Sequence, residues 1–122
     1  MDRDNALTIA VRYAKTVSQK YELARCLLFG SYAKNIPKRY SDIDIAVVVT
    51  NYLDYFDIQM DLMRLRRAID TRIEPHLFRL EDFNNSDPFV REILEHGIEI
   101  HLEEIPAYSD RVAEATVTYK TK

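Results

Sequence analysis

The chain has 122 residues, a formal net charge of −3 and an apolar fraction of 47%, which fits one compact domain with a buried core. The mild negative charge argues against a protein that coats phosphate backbones, so nucleic acid is not expected as a partner. No apolar run reaches the roughly 18 residues that cross a bilayer, so we expect a protein that does not enter a membrane. The single cysteine, Cys26, excludes an internal disulfide. Its presence as a lone thiol suits the reducing cytoplasm, where we expect the protein to act.

The first 30 residues predict a helix followed by a buried strand. Apolar residues at helical spacing indicate a helix over about residues 5–21, capped by Asp4 or Asn5. The short apolar run over residues 25–29 is typical of a buried strand, and Gly30 ends it.

The middle of the chain predicts a loop, a strand, a helix and another strand. A polar loop spans residues 31–41, and the β-branched run over residues 43–49 indicates the second strand. A long helix is predicted over about residues 53–69, and a third strand over residues 72–78. Pro75 lacks a backbone N–H group, so we expect the third strand at a sheet edge.

The last part predicts a short helix and a strand. Asp87 and Pro88 suit the N-cap and the first position of a helix that Gly97 closes. Residues 98–102 alternate apolar and polar, as in a half-buried strand. Helices and strands alternate, so the predicted class is α/β (α+β), a small mixed β-sheet flanked by helices. We assign residues 1–102 to one domain and residues 103–122 to a C-terminal tail of uncertain structure.

Three acidic residues form a candidate metal site. Asp42 and Asp44 are two positions apart at the start of the second strand, so their side chains share a face. Two adjacent carboxylates repel each other unless a cation neutralises them, and Mg²⁺ prefers such oxygen ligands. Glu74 on the third strand is the best candidate for a third acid, which allows two metals to act in an in-line phosphoryl displacement. Asp70 is the runner-up, but it falls near a helix end, where we expect it to be solvated.

Gly30 and Ser31 form a candidate phosphate site. Gly30 follows a buried strand and permits close approach of the backbone to a ligand. If residues 31–34 begin a short helix, their free N–H groups can bind phosphate oxygens, and the Ser31 hydroxyl adds a donor.

The run Gly30-Ser31-Tyr32-Ala33, followed after a short loop by Ser41-Asp42-Ile43-Asp44 and an apolar strand, resembles the signature of the polymerase-beta-like nucleotidyltransferase superfamily. The short chain is most similar to its minimal nucleotidyltransferase branch, over about residues 25–102. The resemblance implies the nucleotidyltransferase fold, a triphosphate site at Gly30 and Ser31, and metal ligands at Asp42 and Asp44, with Glu74 as the third acid.

Two positions depart from the family pattern. The glycine usually found two residues after the motif's alanine is Asn35 here, and asparagine tolerates the left-handed conformation better than most residues. The third acid is often aspartate, and the longer Glu74 leaves open whether it binds metal directly or through water.

Other polar residues lie near the predicted site. We include Lys34 and Ser41 in the nucleotide site. Lys34, Lys38 and Arg39 either neutralise the triphosphate and its pyrophosphate product or belong to a solvated loop. His76 shares the face of Glu74 and is either a site residue or a structural histidine.

The predicted activity is a metal-dependent transfer of a nucleoside monophosphate, with ATP as substrate and two Mg²⁺ ions, or Mn²⁺, as cofactors. The family resemblance implies AMP transfer to a tyrosine of a HEPN-type helical toxin, with this chain as antitoxin. The alternatives are a transferase for a small hydroxylated molecule and a nucleotide-binding partner protein without catalysis. Three converging carboxylates argue against the last alternative, because binding alone does not need them.

The predicted helix over residues 53–69 carries two apolar stripes. One stripe suffices to pack on the sheet: Ile58, Leu62, Leu65 and Ile69. The second lies on roughly the opposite face beside Arg67: Leu53, Phe56, Met60 and Met63. Either residues 103–122 cover the second stripe, or it docks a HEPN-type partner or another copy of this chain.

Overall fold

The computed structural model describes residues 1–37, 41–50, 52 and 54–101. Its elements in chain order are α1 (Arg3–Ser18), β1 (Leu23–Phe29), β2 (Ile43–Val49), α2 (Tyr55–Leu65), β3 (Ile73–Arg79), α3 (Pro88–His96) and β4 (Ile98–Glu99). Short 3₁₀ turns follow α2 and β3, at Arg66–Ala68 and Leu80–Asp82. Within the described ranges, no helix is long and apolar enough to cross a membrane.

The four strands form one mixed sheet in the order β3-β2-β1-β4. β1 pairs antiparallel with both β2 and β4, whereas β2 and β3 run parallel. The predicted class, a small mixed sheet flanked by helices, is therefore confirmed. The parallel pair places the starts of β2 and β3 side by side, and this brings the acidic residues of the two strands to one end of the sheet.

Most predicted elements are present, with shifted ends. α1 begins earlier than predicted because Asp2, and not Asp4 or Asn5, caps it, accepting a hydrogen bond from the backbone N–H of Asn5 at 2.9 Å. β2 has the predicted bounds, and α3 has the predicted Asp87 cap. The strand predicted over residues 98–102 was too long: β4 contains two residues, although the N–H of Ile100 still bonds the Cys26 carbonyl.

Each face of the sheet buries its own cluster of apolar side chains. One cluster lies under α1 and α2 and includes Tyr13, Leu28, Ile43, Ile45, Leu62 and Ile73. The other lies under α3 and includes Leu27, Phe29, Ala46, Val48, Val90 and Ile93. Cys26 is fully buried in the first cluster, as predicted, and this burial raises the pKa of its thiol to about 12, which makes the thiol unreactive.

β3 lies at a sheet edge, as Pro75 predicted. A strand residue directs its N–H and C=O to the same side, so the missing N–H of Pro75 faces away from β2. Two side chains cover this edge: Gln59 donates to the Pro75 carbonyl and Arg66 donates to the Ile73 carbonyl, both at 2.9 Å. These bonds satisfy edge carbonyls and fix the backbone on both sides of Glu74.

The two stripes of α2 differ in burial. Leu62 is fully buried, and Ile58, Leu65 and Ile69 pack against the same cluster. On the opposite face Phe56 is 68% exposed and Met60 is 48% exposed, while Met63 is half-buried. Leu53 lies outside the described residues. Residues 103–122, the alternative cover for this face, also lie outside them, so the tail assignment and the occupant of the stripe stay predictions.

Candidate active site

The two aspartates lie at the start of β2. Asp42 is exposed immediately before the strand, and Asp44 is half-buried as its second residue. Regular alternation along an extended chain places both side chains on one face. Asp44 is opposite Phe29 of β1 in the pairing register, so this face is the one that α3 covers further along the strand. The two aspartates therefore lie at the beginning of β2, on the α3 side of the sheet.

Glu74 lies directly beside Asp44 in the parallel pairing of β2 and β3. In-register residues of neighbouring strands are about 4.8 Å apart and share a face, so the third acid predicted from the sequence is adjacent to the second. Among the described residues, however, the ligand oxygens of Asp42, Asp44 and Glu74 do not all lie within 4.8 Å of one another. Mutual repulsion of carboxylates without a counter-charge favours such a spread.

Gly30 brings the backbone against the Asp44 carboxylate. Its φ of +77° lies in the left-handed region, where residues with a side chain are strained. A Cβ atom at this position would lie 2.3 Å from Asp44 Oδ2, far inside van der Waals contact. The absence of a side chain therefore allows the turn after β1 and the carboxylate of β2 to share one small space.

Residues 31–35 form a single tight turn. The short helix that the sequence analysis considered for residues 31–34 does not form. The N–H of Ile36 bonds the Ser31 carbonyl and the N–H of Asn35 bonds the Tyr32 carbonyl, at 2.9 and 3.1 Å. These are the two hydrogen bonds of a Schellman motif, and Asn35 occupies its left-handed position with φ +61°. The left-handed conformation that asparagine was expected to tolerate at this position is confirmed.

The turn leaves three backbone N–H groups without an acceptor among the described residues. No hydrogen bond within the part of the chain that the structure describes occupies the N–H groups of Ser31, Tyr32 and Ala33. Free N–H groups at the beginning of a helical turn can bind phosphate oxygens, and the phosphate site at this turn stays a prediction.

The basic residues of the loop are only partly described. Lys34 is exposed and forms an ion pair with Glu92 of α3, with a distance of 2.5 Å between Nζ and Oε2. Ser41 is half-buried just before Asp42. Lys38 and Arg39 lie outside the described residues, so their role stays a prediction.

The sequence predicted that Asp70 is solvated, and this prediction is wrong. Its carboxylate accepts two hydrogen bonds from the Arg72 guanidinium, at 2.9 and 2.7 Å, and one from the Arg72 backbone. These bonds, chiefly from the guanidinium, hold the pKa of Asp70 below its usual range. The pairing engages Asp70 in closing the turn before β3 and disfavours it as a metal ligand.

His76 contacts the acidic cluster directly. Its Nε2 atom lies 3.2 Å from Asp44 Oδ1. The sequence placed His76 on the correct face, but it did not reveal this contact, because the partner is the diagonal neighbour on β2. His76 pairs in register with Ala46, whose small side chain leaves room for the ring to lean toward Asp44.

A second acidic group lies on the surface of α3. Among the described residues it is the one set of three potential ligands within 4.8 Å: Glu92, Glu95 and His96. All three are exposed, and exposed acidic groups commonly cluster without a metal. The site on β2 and β3 is the better candidate, because its carboxylates adjoin the phosphate-binding turn.

The donor set of this site fits divalent metal ions with a bound triphosphate. Asp42, Asp44 and Glu74 provide hard carboxylate oxygens from two adjacent strands, which is what Mg²⁺ prefers. Gly30, which precedes the turn, lies directly against the Asp44 carboxylate, so the carboxylate and the backbone of the turn are neighbours.

Comparison with known proteins agrees with this geometry. A family model described as polymerase beta, nucleotidyltransferase, matches residues 13–104, whereas no curated protein matches the chain significantly. A toxin–antitoxin crystal structure with AMP-PNP covers 85% of this chain and 78% of its own, at 23% identity and a TM-score of 0.57. A mutant MntA–HpeT toxin–antitoxin structure covers 88% and 81%, at 23% identity and a TM-score of 0.55.

A third similar structure holds a tri-AMPylated HEPN toxin of Shewanella oneidensis in complex with its MNT antitoxin. It covers 80% of this chain and 70% of its own, at 22% identity and a TM-score of 0.51. At these identities the structural similarity shows the fold. The family match is the stronger result, because it spans well over half of the sequence and includes every described residue of the acidic site. The chain belongs to the polymerase beta nucleotidyltransferase family.

Proposed function

We propose that this chain transfers AMP from ATP to a hydroxyl group with the help of two Mg²⁺ ions held by Asp42, Asp44 and Glu74. The observation that carries the proposal is the pairing of Asp44 with Glu74 on parallel strands, directly beside the Gly30 turn. This arrangement supports the proposal, because residues suited to hold metal and residues suited to bind phosphate are neighbours in the fold. Mn²⁺ has similar ligand preferences and is the expected substitute.

Different residues of the chain have different roles in the proposed reaction. When bound, the metal ions neutralise the triphosphate and stabilise charge on the α-phosphate and the pyrophosphate leaving group. The Ser31 hydroxyl and the free N–H groups of the turn orient the terminal phosphates, and Lys34 is available to them if it leaves Glu92. The acceptor oxygen forms a bond to the α-phosphorus as the bond to pyrophosphate breaks, and Glu74, or failing that Asp44, takes the acceptor's proton.

The proposed acceptor is a tyrosine of a HEPN-type toxin, which makes this chain the antitoxin. The similar solved structures support this assignment: they are toxin–antitoxin complexes, one with AMP-PNP and one with an AMPylated HEPN toxin. The single buried cysteine is consistent with action in the reducing cytoplasm. Self-association of the chain remains a secondary proposal.

The acceptor is tested by mass spectrometry of a HEPN-type protein encoded beside this chain. We expect that incubation of the two proteins with ATP and Mg²⁺ adds the mass of AMP to the HEPN protein, and that fragmentation places it on tyrosine. If the HEPN protein stays unmodified while the chain adenylylates an aminoglycoside or a similar small alcohol, the acceptor assignment is wrong and the small-molecule alternative is correct.

Nucleotide binding is expected to require the metal. The carboxylates repel a triphosphate unless a cation lies between them, so ATP with Mg²⁺ should raise the melting temperature by linkage to the folded state. At a ligand concentration 100 times the dissociation constant, the stabilisation should be about 2.7 kcal/mol. Differential scanning fluorimetry with ATP in excess chelator is the control. Equal stabilisation with and without chelator would mean that the carboxylates do not hold metal.

The exposed stripe of α2 is the proposed docking surface for the HEPN-type partner. Met60 is 48% exposed, so Met60→Glu should change the stability of the isolated chain by less than about 0.5 kcal/mol. It should weaken association with the partner by at least about tenfold, because an unpaired carboxylate is then buried in the interface. Sedimentation or pull-down measures the association.

Leu80→Glu is the matched control for the Met60 variant. Leu80 is similarly exposed, at 43%, but belongs to the turn after β3 and not to α2, so this variant should bind the partner normally. A large loss of stability in the isolated Met60→Glu chain would instead identify the stripe as part of its core.

A further inference from the structure

The side chain of His76 contacts Asp44 of the acidic site and also two aromatic rings, those of Phe29 on β1 and Phe89 on α3. Its Nε2 atom faces Asp44 Oδ1 at 3.2 Å, and both side chains are partly shielded, with 30% and 26% of their surfaces exposed. An ionised carboxylate can only accept a hydrogen bond, so Nε2 is the donor of this pair.

Two phenylalanines hold the imidazole ring in place. The Phe29 ring meets it edge-on with a centroid distance of 4.9 Å, and the Phe89 ring does so at 5.9 Å. Phe29 is 7% exposed and belongs to the cluster under α3. Such contacts restrict rotation of the ring; Phe29 contributes from the buried cluster, whereas Phe89 is 46% exposed.

The two oxygens of Asp44 face different neighbours. Oδ1 accepts the hydrogen bond from His76, whereas Oδ2 is the atom that a Cβ at Gly30 would meet at 2.3 Å. The oxygen that remains free of His76 is therefore the one directed at the phosphate-binding turn. Without a partner for Oδ1, the carboxylate could rotate and direct either oxygen, or neither, toward that turn.

We propose that His76 is a positioning residue, which holds Asp44 so that Oδ2 is presented to the metal and the nucleotide. This inference rests on the proposed function, because it assumes that Asp44 is a metal ligand. Ligating carboxylates are commonly held by hydrogen bonds of this kind, and loss of such a partner costs about 10- to 100-fold in metal affinity or activity. His76 itself does not bind the metal, since the nitrogen nearest the site carries the hydrogen given to Asp44.

Two variants separate the hydrogen bond from the packing. His76→Phe keeps an aromatic ring between Phe29 and Phe89 but has no donor, whereas His76→Gln keeps an N–H donor without the ring. His96→Gln is the matched control, because His96 is exposed at the end of α3. Each variant is titrated with Mg²⁺ in the presence of a saturating non-hydrolysable ATP analogue, and its melting temperature is compared with that of the same variant without ligand. The measured quantity is the Mg²⁺ concentration at which half of the maximal increase in melting temperature is reached.

We expect His76→Phe to raise this Mg²⁺ concentration about tenfold, with His76→Gln and His96→Gln close to the wild-type chain. An unchanged value for His76→Phe, while the wild-type chain responds to Mg²⁺, would overturn the positioning role and leave the proposed function standing. A wild-type chain whose analogue binding ignores Mg²⁺ would overturn both.

A spectroscopic measurement distinguishes positioning from direct ligation. With Mn²⁺ and the ATP analogue bound to the wild-type chain, pulsed electron paramagnetic resonance reports nitrogen nuclei that coordinate the metal. We expect no coupling from a histidine nitrogen. Its presence in the wild-type chain, and its loss in His76→Gln, would show that His76 is a ligand and that the positioning role is wrong.

Discussion

Asp42→Asn and Asp44→Asn are each expected to reduce AMP transfer by at least about 100-fold while leaving the fold intact. Loss of a metal ligand removes several kcal/mol of charge stabilisation in the transition state, and each 1.36 kcal/mol corresponds to a factor of ten in rate. Neither side chain is deeply buried, and removal of one charge relieves repulsion in the cluster. The unfolding free energy should therefore stay the same or rise slightly, as measured by urea denaturation.

Two further variants test the third acid. Glu74→Gln should also be severely impaired, because Glu74 lies beside Asp44 on the neighbouring strand. Asp70→Asn is the matched control: it should cost up to about 1 kcal/mol of stability through the lost Arg72 pairing, with little effect on transfer. If Asp70→Asn abolishes transfer and Glu74→Gln does not, the third acid has been assigned to the wrong residue.

Gly30→Ala is expected to cost both stability and activity. The left-handed backbone at φ +77° disfavours alanine by about 1–2 kcal/mol. The new methyl group would also lie 2.3 Å from Asp44 Oδ2, so either the carboxylate or the turn must move. A displacement of about 1 Å at a reacting centre can lower the rate about 100-fold. Steady-state kinetics of transfer, corrected for the folded fraction, measure the effect.

Gly97→Ala separates general destabilisation from damage to the site. A methyl group at Gly97 would lie 2.5 Å from the Ile93 carbonyl oxygen, and relief of such crowding costs about 1–3 kcal/mol. Gly97 is at the end of α3, and the atoms nearest to a Cβ there belong to Ile93 and Leu28, not to the acidic residues. Its variant should lose stability but keep normal transfer per folded molecule. Equal losses of transfer in both variants would argue against a specific role for Gly30.

Local signals account for the parts of the fold that the sequence predicted well. The run over residues 43–49, which is rich in β-branched residues, predicted β2 with its observed bounds, because a strand that is buried on both faces can be apolar along most of its length. The Asp87–Pro88 pair predicted the start of α3, since a side-chain cap and a residue without an N–H group satisfy the first turn locally. Such features depend on neighbours in sequence.

Features that depend on distant residues were not predictable in the same way. The sheet order and the central position of β1 follow from packing between elements far apart in sequence. β4 is short because only Leu27 and Leu28 of β1 pair with it. The pairing of Asp70 with Arg72 is a local exception: the two residues are close in sequence, but their contact depends on the conformation of the turn between them, which the sequence did not predict.

The candidate site shows the same division. The motif and the alternation along β2 predicted the positions of Asp42, Asp44 and Gly30, which lie close in sequence. The register that places Glu74 beside Asp44, and the contact between His76 and Asp44, require knowledge of how β2 and β3 pair. A period of two along a strand shows which residues share a face, but it does not show which residue of the next strand lies opposite.

The most direct test of a nucleotidyl transfer is the fate of the individual phosphates of ATP. The chain, the proposed HEPN-type partner and Mg²⁺ are incubated with ATP labelled at either the α- or the γ-phosphate, and label on the partner is measured after denaturing electrophoresis, with a chelator control. We expect label from the α-phosphate only, none with chelator, and none with the Asp44→Asn chain. Transfer of the γ-label, or α-label that appears equally in the presence of chelator, would contradict metal-dependent AMP transfer by this site.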